Sequence, residues 1–189
     1  MKLEIESREK EKRTLSYYDE NASAFCEGTR NADMSEMRGR FLQYLKPGTL
    51  ILDVGCGSGR DSKFFMESGY RVVALDGSKE MCRQASAYLG QEVQCRRFEE
   101  IDEKEVYDGI WACSSILHLS KKELRSVLVK MVDALRCGGL IYTSFKYGDF
   151  EGERNGRYFT NFSIETFTEF LKEIDNIKIE DWWISGDVR

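Results

Sequence analysis

The 189 residues contain one proline, Pro47, and one histidine, His118. The six cysteines, Cys26, Cys56, Cys82, Cys95, Cys113 and Cys137, are never closer than 13 residues, so no C-x-x-C pair and no zinc spacing exists. Several of them fall inside apolar patterns, which predicts buried free thiols in a reducing, cytoplasmic setting. No apolar run approaches the ~18 residues of a membrane span. Met1 to Arg13 is charged where a secretory leader would be apolar. Long basic blocks are missing too. The net charge is -5, and cations pair only locally, as in Arg96-Arg97 and Lys121-Lys122, which argues against a nucleic-acid partner. The length predicts a single domain with a full core.

What is present starts with Leu50-Ile51-Leu52-Asp53-Val54-Gly55-Cys56-Gly57-Ser58-Gly59-Arg60-Asp61, an apolar strand running into a glycine-rich turn. A second apolar strand, Arg71 to Leu75, is followed by Asp76, 21 residues after Gly55. Glycines at a strand-to-helix turn let backbone approach a ligand, and an acid at the next strand end accepts from ribose hydroxyls. The loop reads G-x-G-x-G, and Arg60 stands where a dinucleotide fingerprint needs its third glycine. A pyrophosphate wants that close approach; a ligand with a ribose and no phosphate does not.

Along the chain, residues 3–18 predict an exposed helix and 19–33 a loop with a short helix. Met37, Phe41 and Leu45 recur at helical spacing before Lys46-Pro47-Gly48. Helices are predicted from about Asp61 to Ser68 and from Ser78, as N-cap, to Leu89-Gly90. A third strand is expected over Val93 to Phe98 and a fourth over Tyr107 to Ala112. Ser120 and Glu123 form a capping box ahead of an apolar stripe from Leu124 to Leu135. Gly138-Gly139 leads into a fifth strand, Leu140 to Phe145. A polar loop spans Lys146 to about Asn161, a helix starts at Ser163, and a sixth strand covers about Asn176 to Ile184. This alternation predicts an α/β fold: a mostly parallel sheet with helices on both faces.

Asp53, the glycine turn and Asp76 together resemble motif I and the second-strand acid of the class I S-adenosylmethionine-dependent methyltransferases. Tyr107-Asp108-Gly109-Ile110, followed by Cys113-Ser114 and Leu117-His118, resembles motif IV of their small-molecule members. The resemblance covers residues 14 to about 185, and within the class it is greatest to small bacterial members of the generic, tellurite-resistance-like group. It implies a Rossmann-like three-layer α/β/α sandwich, with residues 1–46 as a helical cap and 47–189 as the core. The implied cofactor is S-adenosylmethionine and the implied reaction is in-line methyl transfer to a small molecule. Implied cofactor residues are Asp53 for the methionine ammonium, Gly55, Cys56 and Gly57 along the methionine, Asp76 and Gly77 at the ribose, and Met81 at the adenine. Arg97 stands where many members carry the adenine-binding acid, so Phe98 and Glu99 are the substitutes. Cys113 and Ser114 should border the sulfonium, and Tyr18 and Arg30 are contacts from the lead-in segment. His118, just past the fourth strand, is the candidate catalytic base. The loop after Phe145, with Lys146, Arg154 and Arg157, reads as a lid over an anionic or planar acceptor.

One departure is expected at the sheet edge. Class I sheets insert a last antiparallel strand between the fifth and sixth, and no residues remain here for it. The sixth strand should therefore pair directly with the fifth, or a second copy should cover the edge through Trp182 and Trp183, making a homodimer. The rival functions are a non-catalytic S-adenosylmethionine-binding protein and an NAD-dependent oxidoreductase.

Overall fold

Apolar strands and amphipathic helices alternate as expected in the computed structural model, which describes residues 2–186 and the side chains of 8–186. The main sheet is built from β1 (Leu50–Val54), β2 (Arg71–Asp76), β3 (Gln94–Cys95), β4 (Tyr107–Ala112) and β5 (Leu135–Thr143). They lie in the order β3-β2-β1-β4-β5 and every pairing is parallel. In register, Leu52 sits between Val73 on β2 and Ile110 on β4. The order reverses between β1 and β4, so a crevice opens beyond their carboxyl ends.

The helices are α1 (Lys2–Thr29), α2 (Ser35–Leu42), α3 (Arg60–Glu67), α4 (Lys79–Leu89), α5 (Lys121–Ala134) and α6 (Ile164–Leu171). The two caps read from the sequence form, and the helix expected to start at Ser163 is capped by it. Ser78 accepts from the Met81 amide, Ser120 and Glu123 close a capping box, and Ser163 caps α6. The side chains of α5 and α6 pack on one sheet face, where Leu52, Ile110, Leu124, Leu128, Met131 and Phe170 are buried. On the other face Phe41, Phe65 and Trp111 are fully covered, and Trp111 stacks on Tyr142 at 3.9 Å.

Five expectations need correction. The first helix does not stop at residue 18 but runs unbroken to Thr29. Its buried face is Thr14, Ala22, Cys26 and Thr29, small residues whose helical recurrence carries little hydrophobic signal. The third strand shrinks to two residues, and Phe98–Glu100 forms a 3-10 turn instead. β5 begins at Leu135, not Leu140, because Tyr107 pairs with Leu135 and Gly109 with Leu140, with the residues between bulged outward. The polar loop is largely a β-hairpin, β6 (Glu151–Arg154) against β7 (Arg157–Thr160). Asn155 and Gly156 make its turn, both at positive φ (51° and 74°), the backbone a two-residue hairpin demands.

The fifth correction concerns the sheet edge. Residues 172–186 form no strand and bond to no strand of the sheet. Ile177 and Ile179 pack on the core, and Trp183 lies 5.9 Å from the Tyr142 ring with the Arg40 guanidinium above it at 4.5 Å. A groove of about 1280 Å³ separates this segment from β5. Direct pairing of the expected sixth strand with β5 therefore does not occur. A lone extended segment with a gap beside it has no ladder to join, and side-chain contacts alone hold it.

Candidate functional site

A cavity of about 850 Å³ opens at the carboxyl ends of β1, β2 and β4, roofed by α1 and flanked by the hairpin. Its floor is the glycine turn. Gly55, Gly57 and Gly59 all have φ between 54° and 77°, a region that costs other residues about 1–2 kcal/mol. Space reinforces the requirement at Gly55, where a Cβ would stand 2.5 Å from the Ser115 Cβ and 3.3 Å from the Phe98 ring. The Gly55 and Cys56 amides donate to the Leu75 carbonyl at 2.9 and 3.0 Å, which ties the turn to the end of β2.

Two carboxylates face this turn. Asp76 accepts from the Gly57 amide and, through its other oxygen, from the Ser78 amide, both at 2.9 Å. Burial pushes its pKa up, against the pull of those amides. Asp53 is 2% exposed and accepts from the Ser62 hydroxyl at 2.6 Å. Burial, then the charge of Asp61, pushes its carboxyl from 3.8 to about 7. Such a group near neutrality, at the closed end of a cavity, is suited to receive a cation.

Asp61 anchors the loop from below. It accepts from Arg38 Nε at 2.8 Å, from Arg60 Nη2 at 2.7 Å and from Trp111 Nε1 at 3.1 Å. Burial works to raise its pKa, yet the bonds and charges of Arg60 and Arg38 outweigh burial and hold it below its ordinary value. Arg60, read from the sequence only as a missing glycine, thus has a definite task.

At the far side of the cavity, the Tyr18 hydroxyl lies 2.8 Å from His118 Nε2, and His118 Nδ1 lies 2.6 Å from the Tyr158 carbonyl. A carbonyl only accepts, so Nδ1 carries the proton and, in the neutral ring, Nε2 accepts from Tyr18. Arg157 donates to the Tyr18 hydroxyl at 3.4 Å and stacks over the Tyr17 ring at 4.3 Å. Nearby, Ser114 holds φ of 51° at the end of β4, with its amide donating to the Ser144 hydroxyl at 2.9 Å. A non-glycine residue so placed is a local strain of the kind that clusters at functional sites. Cys113 beside it is no nucleophile at neutral pH, because burial pushes its thiol up to about 11.

Tyr18, Asp53, Gly55, Cys56, Gly57, Asp76, Gly77, Met81, Phe98, Glu99, Cys113, Ser114 and His118 all border this cavity. Arg30 does not: its guanidinium lies over the Tyr88 ring at 4.6 Å, turned away by the last turn of α1. Met81 is 1% exposed and packs against Ala22 and Cys26, so it is core as well as cavity wall. Arg97 also borders the cavity, with its guanidinium reaching Glu11 on α1 at 3.3 Å. Sequence reading missed Thr14, Leu15, Phe25, Asp61 and Phe159, which also line the space. The helical recurrence of residues 14–15, 18, 22, 25–26 and 29 was the available signal for the α1 members.

Comparison with known proteins matches residues 51–139 to the methyltransferase domain family. A malonyl-[acyl-carrier protein] O-methyltransferase of Salmonella typhimurium is 30% identical over 135 residues, 68% of this chain and 49% of that protein. The chain spans about half the length of the curated relatives it matches. Among solved structures, the Burkholderia thailandensis 1,6-didemethyltoxoflavin-N1-methyltransferase, with bound 1,6-didemethyltoxoflavin and S-adenosylhomocysteine, superimposes with a TM-score of 0.74. It is 21% identical, over 88% of this chain and 78% of that one. The [4+2]-cyclase SpnF superimposes with a TM-score of 0.61 at 19% identity, over 73% of this chain and 55% of that one.

Proposed function

We propose that this chain is a class I S-adenosylmethionine-dependent methyltransferase that binds S-adenosylmethionine in the cavity and transfers its methyl group to a small-molecule acceptor. The single observation that carries the reading is Asp76, whose carboxylate is fixed by the Gly57 and Ser78 amides at the rim of the glycine turn. A carboxylate held this way keeps lone pairs for paired ribose hydroxyls, each a charge-assisted bond. Asp53 would receive the ammonium, the positive-φ turn would lie along the methionine, and Met81, Phe98 and Glu99 would enclose the adenine. When bound, the cofactor supplies an already activated methyl on a sulfonium. The chain's own contribution is to orient the acceptor, exclude water beneath α1 and manage the acceptor's proton. Residues 1–46 serve in this reading as a cap on the core 47–189.

The relatives are named for methylating malonyl-[acyl-carrier protein] and 1,6-didemethyltoxoflavin. Arg157 and Lys146, with the Tyr18, Phe25 and Phe159 rings, favour a planar or anionic acceptor here. The tellurite-resistance-like grouping fixes no acceptor. Among the described residues no helix is long and apolar enough to cross a membrane, and a cytoplasmic site of action is part of the proposal. So is a homodimer through the uncovered edge of β5, where Trp182 is 54% exposed, a state that sedimentation would read. A non-catalytic role is the second reading, since a cyclase shares the fold and a fold does not dictate chemistry.

The test is calorimetry with S-adenosylhomocysteine and, separately, NAD, followed by an acceptor screen that begins with 1,6-didemethyltoxoflavin and reads methyl transfer. S-adenosylhomocysteine binding with turnover supports the proposal, and binding of NAD alone overturns it. Binding without turnover across the screen supports the non-catalytic reading. His118→Ala should keep S-adenosylhomocysteine affinity and slow transfer by about 10²–10⁴-fold.

A further inference from the structure

The sequence groups Lys146, Arg154 and Arg157 in one polar stretch, and the structure separates the two arginines. Arg154 lies over the Phe150 ring at 4.4 Å and is no part of the cavity wall. Arg157, the first residue of β7, is half-buried and borders the cavity. Its guanidinium is packed among rings: Tyr17 at 4.3 Å, Phe159 at 5.2 Å and Tyr18 at 5.8 Å. Aromatic faces take the flat side of a guanidinium and leave its N–H edge for a polar partner. Yet among the described residues that edge meets one acceptor, the Tyr18 hydroxyl at a long 3.4 Å, and no carboxylate. Its Nε is buried with no hydrogen-bond partner. Other cations of the cavity wall are paired: Lys10 with Glu123 at 2.9 Å, Arg60 with Asp61 at 2.7 Å and Arg97 with Glu11 at 3.3 Å. A half-buried guanidinium short of acceptors calls for an anion from outside the chain.

We propose that Arg157 determines acceptor specificity and that the acceptor is a planar molecule bearing a carboxylate, which the guanidinium grips through its N–H edge. This rests on the methyltransferase reading above and narrows its acceptor to one class. Two features favour a carboxylate over a phosphate. A phosphate gathers backbone amides or several cations. Here the Gly55 and Cys56 amides are committed to the Leu75 carbonyl and the Gly57 amide to Asp76. Asp53, Asp76 and Glu99 also border the cavity, so a dianion would meet more repulsion than a monoanion. A carboxylate matches the guanidinium fork in shape and charge. Planarity follows from the Tyr18, Phe25 and Phe159 rings among the walls. The carboxylate is then a handle at the hairpin, distinct from the atom that takes the methyl.

Calorimetry on the S-adenosylhomocysteine complex tests this with paired probes: benzoate and benzamide, 4-hydroxybenzoate and 4-hydroxybenzamide, quinoline-2-carboxylate and its carboxamide. At least one carboxylate should bind about ten- to a hundredfold tighter than its amide, the range for hydrogen bonds to a charged group. Arg157→Gln should erase that preference and keep S-adenosylhomocysteine affinity. Arg157→Lys should reduce it, since a lysine keeps the charge without the fork. Arg154→Gln, on the same hairpin, should keep it in full. The proposal is overturned if no carboxylate is preferred over its amide, if the preference survives Arg157→Gln or stands undiminished in Arg157→Lys, or if Arg154→Gln also erases it. Should melts show that Arg157→Gln does not fold, wild type and Arg157→Lys still decide. Failure of S-adenosylhomocysteine to bind wild type overturns the methyltransferase reading instead, and the same probe pairs on the ligand-free protein still report on Arg157.

Discussion

Replacing Asp76 by alanine separates two jobs of one carboxylate, one that the structure shows and one that the proposed function gives it. The first is to hold the turn. Both oxygens accept backbone amides, and without them the Gly57 and Ser78 N–H groups lose their partners. A buried donor left unsatisfied costs about 1–3 kcal/mol, and water in an open cavity recovers part of that. The second job is to accept from ribose. Losing bonds to a charged acceptor costs about 1.5–3 kcal/mol, which is a weakening of roughly ten- to over a hundredfold. Thermal melts of the ligand-free protein read the first effect, and calorimetry with S-adenosylhomocysteine reads the two combined. An analogue lacking the ribose 2′-hydroxyl divides them. Wild type should prefer the natural ligand, and Asp76→Ala should bind both about equally, because the contact that tells them apart is gone. If Asp76→Ala binds S-adenosylhomocysteine as wild type does, the ribose assignment fails. If it weakens both ligands by one factor and keeps the wild-type preference, Asp76 only shapes the loop.

The pH dependence of Asp53 has opposite signs for folding and for binding. A buried acid raised from 3.8 to about 7 favours the fold below its unfolded value and loses that contribution as pH rises through about 7. An ammonium ligand needs the ionised form, so S-adenosylhomocysteine affinity should rise with pH and level off above about 7, with roughly a tenfold difference between pH 6 and 8. A flat profile across that range in wild type, or a retained slope in Asp53→Asn, would exclude the assignment. Gly55→Ala should destabilise by about 2–5 kcal/mol, from positive φ and the overlap with Ser115. Gly28→Ala on α1, with open space at its Cβ, should stabilise by about 0.4–1 kcal/mol; denaturant melts compare the two. Arg30→Ala should leave S-adenosylhomocysteine affinity unchanged in calorimetry, since it reaches Tyr88 and not the cavity.

The parts of the fold legible in the sequence share a physical reason. Leu50–Val54 and Tyr107–Ala112 are central parallel strands, and burial on both faces writes them as near-continuous apolar runs. Ser120 and Glu123 mark a helix start through local hydrogen bonds that need no tertiary context. The cavity wall was legible where backbone chemistry dictates residue type, at the glycine turn and at the acids ending β1 and β2. It was hidden where pairing across long separations decides. Nothing near Tyr18 in the sequence points to His118, 100 residues away. Asn155-Gly156 is a two-residue hairpin turn, but the charges and glycines around it read as an irregular lid loop with no strands of its own. The segment after Ile174 has alternating Ile177 and Ile179, a strand pattern that failed because a strand also requires a neighbour within hydrogen-bonding distance.

α1 shows why roof and site form together. On its own the helix is weak, because its inward face offers Thr14, Ala22, Cys26 and Thr29, which bury little apolar area. What holds it is a series of specific contacts to cavity-lining elements. Leu15 packs so closely over Gly77 that a Cβ there would lie 2.8 Å from it. Asp19 accepts from the Ser78 hydroxyl at 2.6 Å and the Glu80 amide at 3.1 Å, reinforcing the cap of α4 just past Asp76. Cys26 meets Met81 at 3.9 Å, and Thr29 meets Ser58 of the glycine turn at 3.1 Å. At the hairpin, Thr14 accepts from the Tyr158 amide at 3.2 Å, in the same residue whose carbonyl holds His118. Each contact that orders α1 therefore also positions a wall of the cavity. Small side chains are what allow a helix backbone to come that close, so the residues that made α1 hard to read in the sequence are the ones that bring Tyr18 to His118.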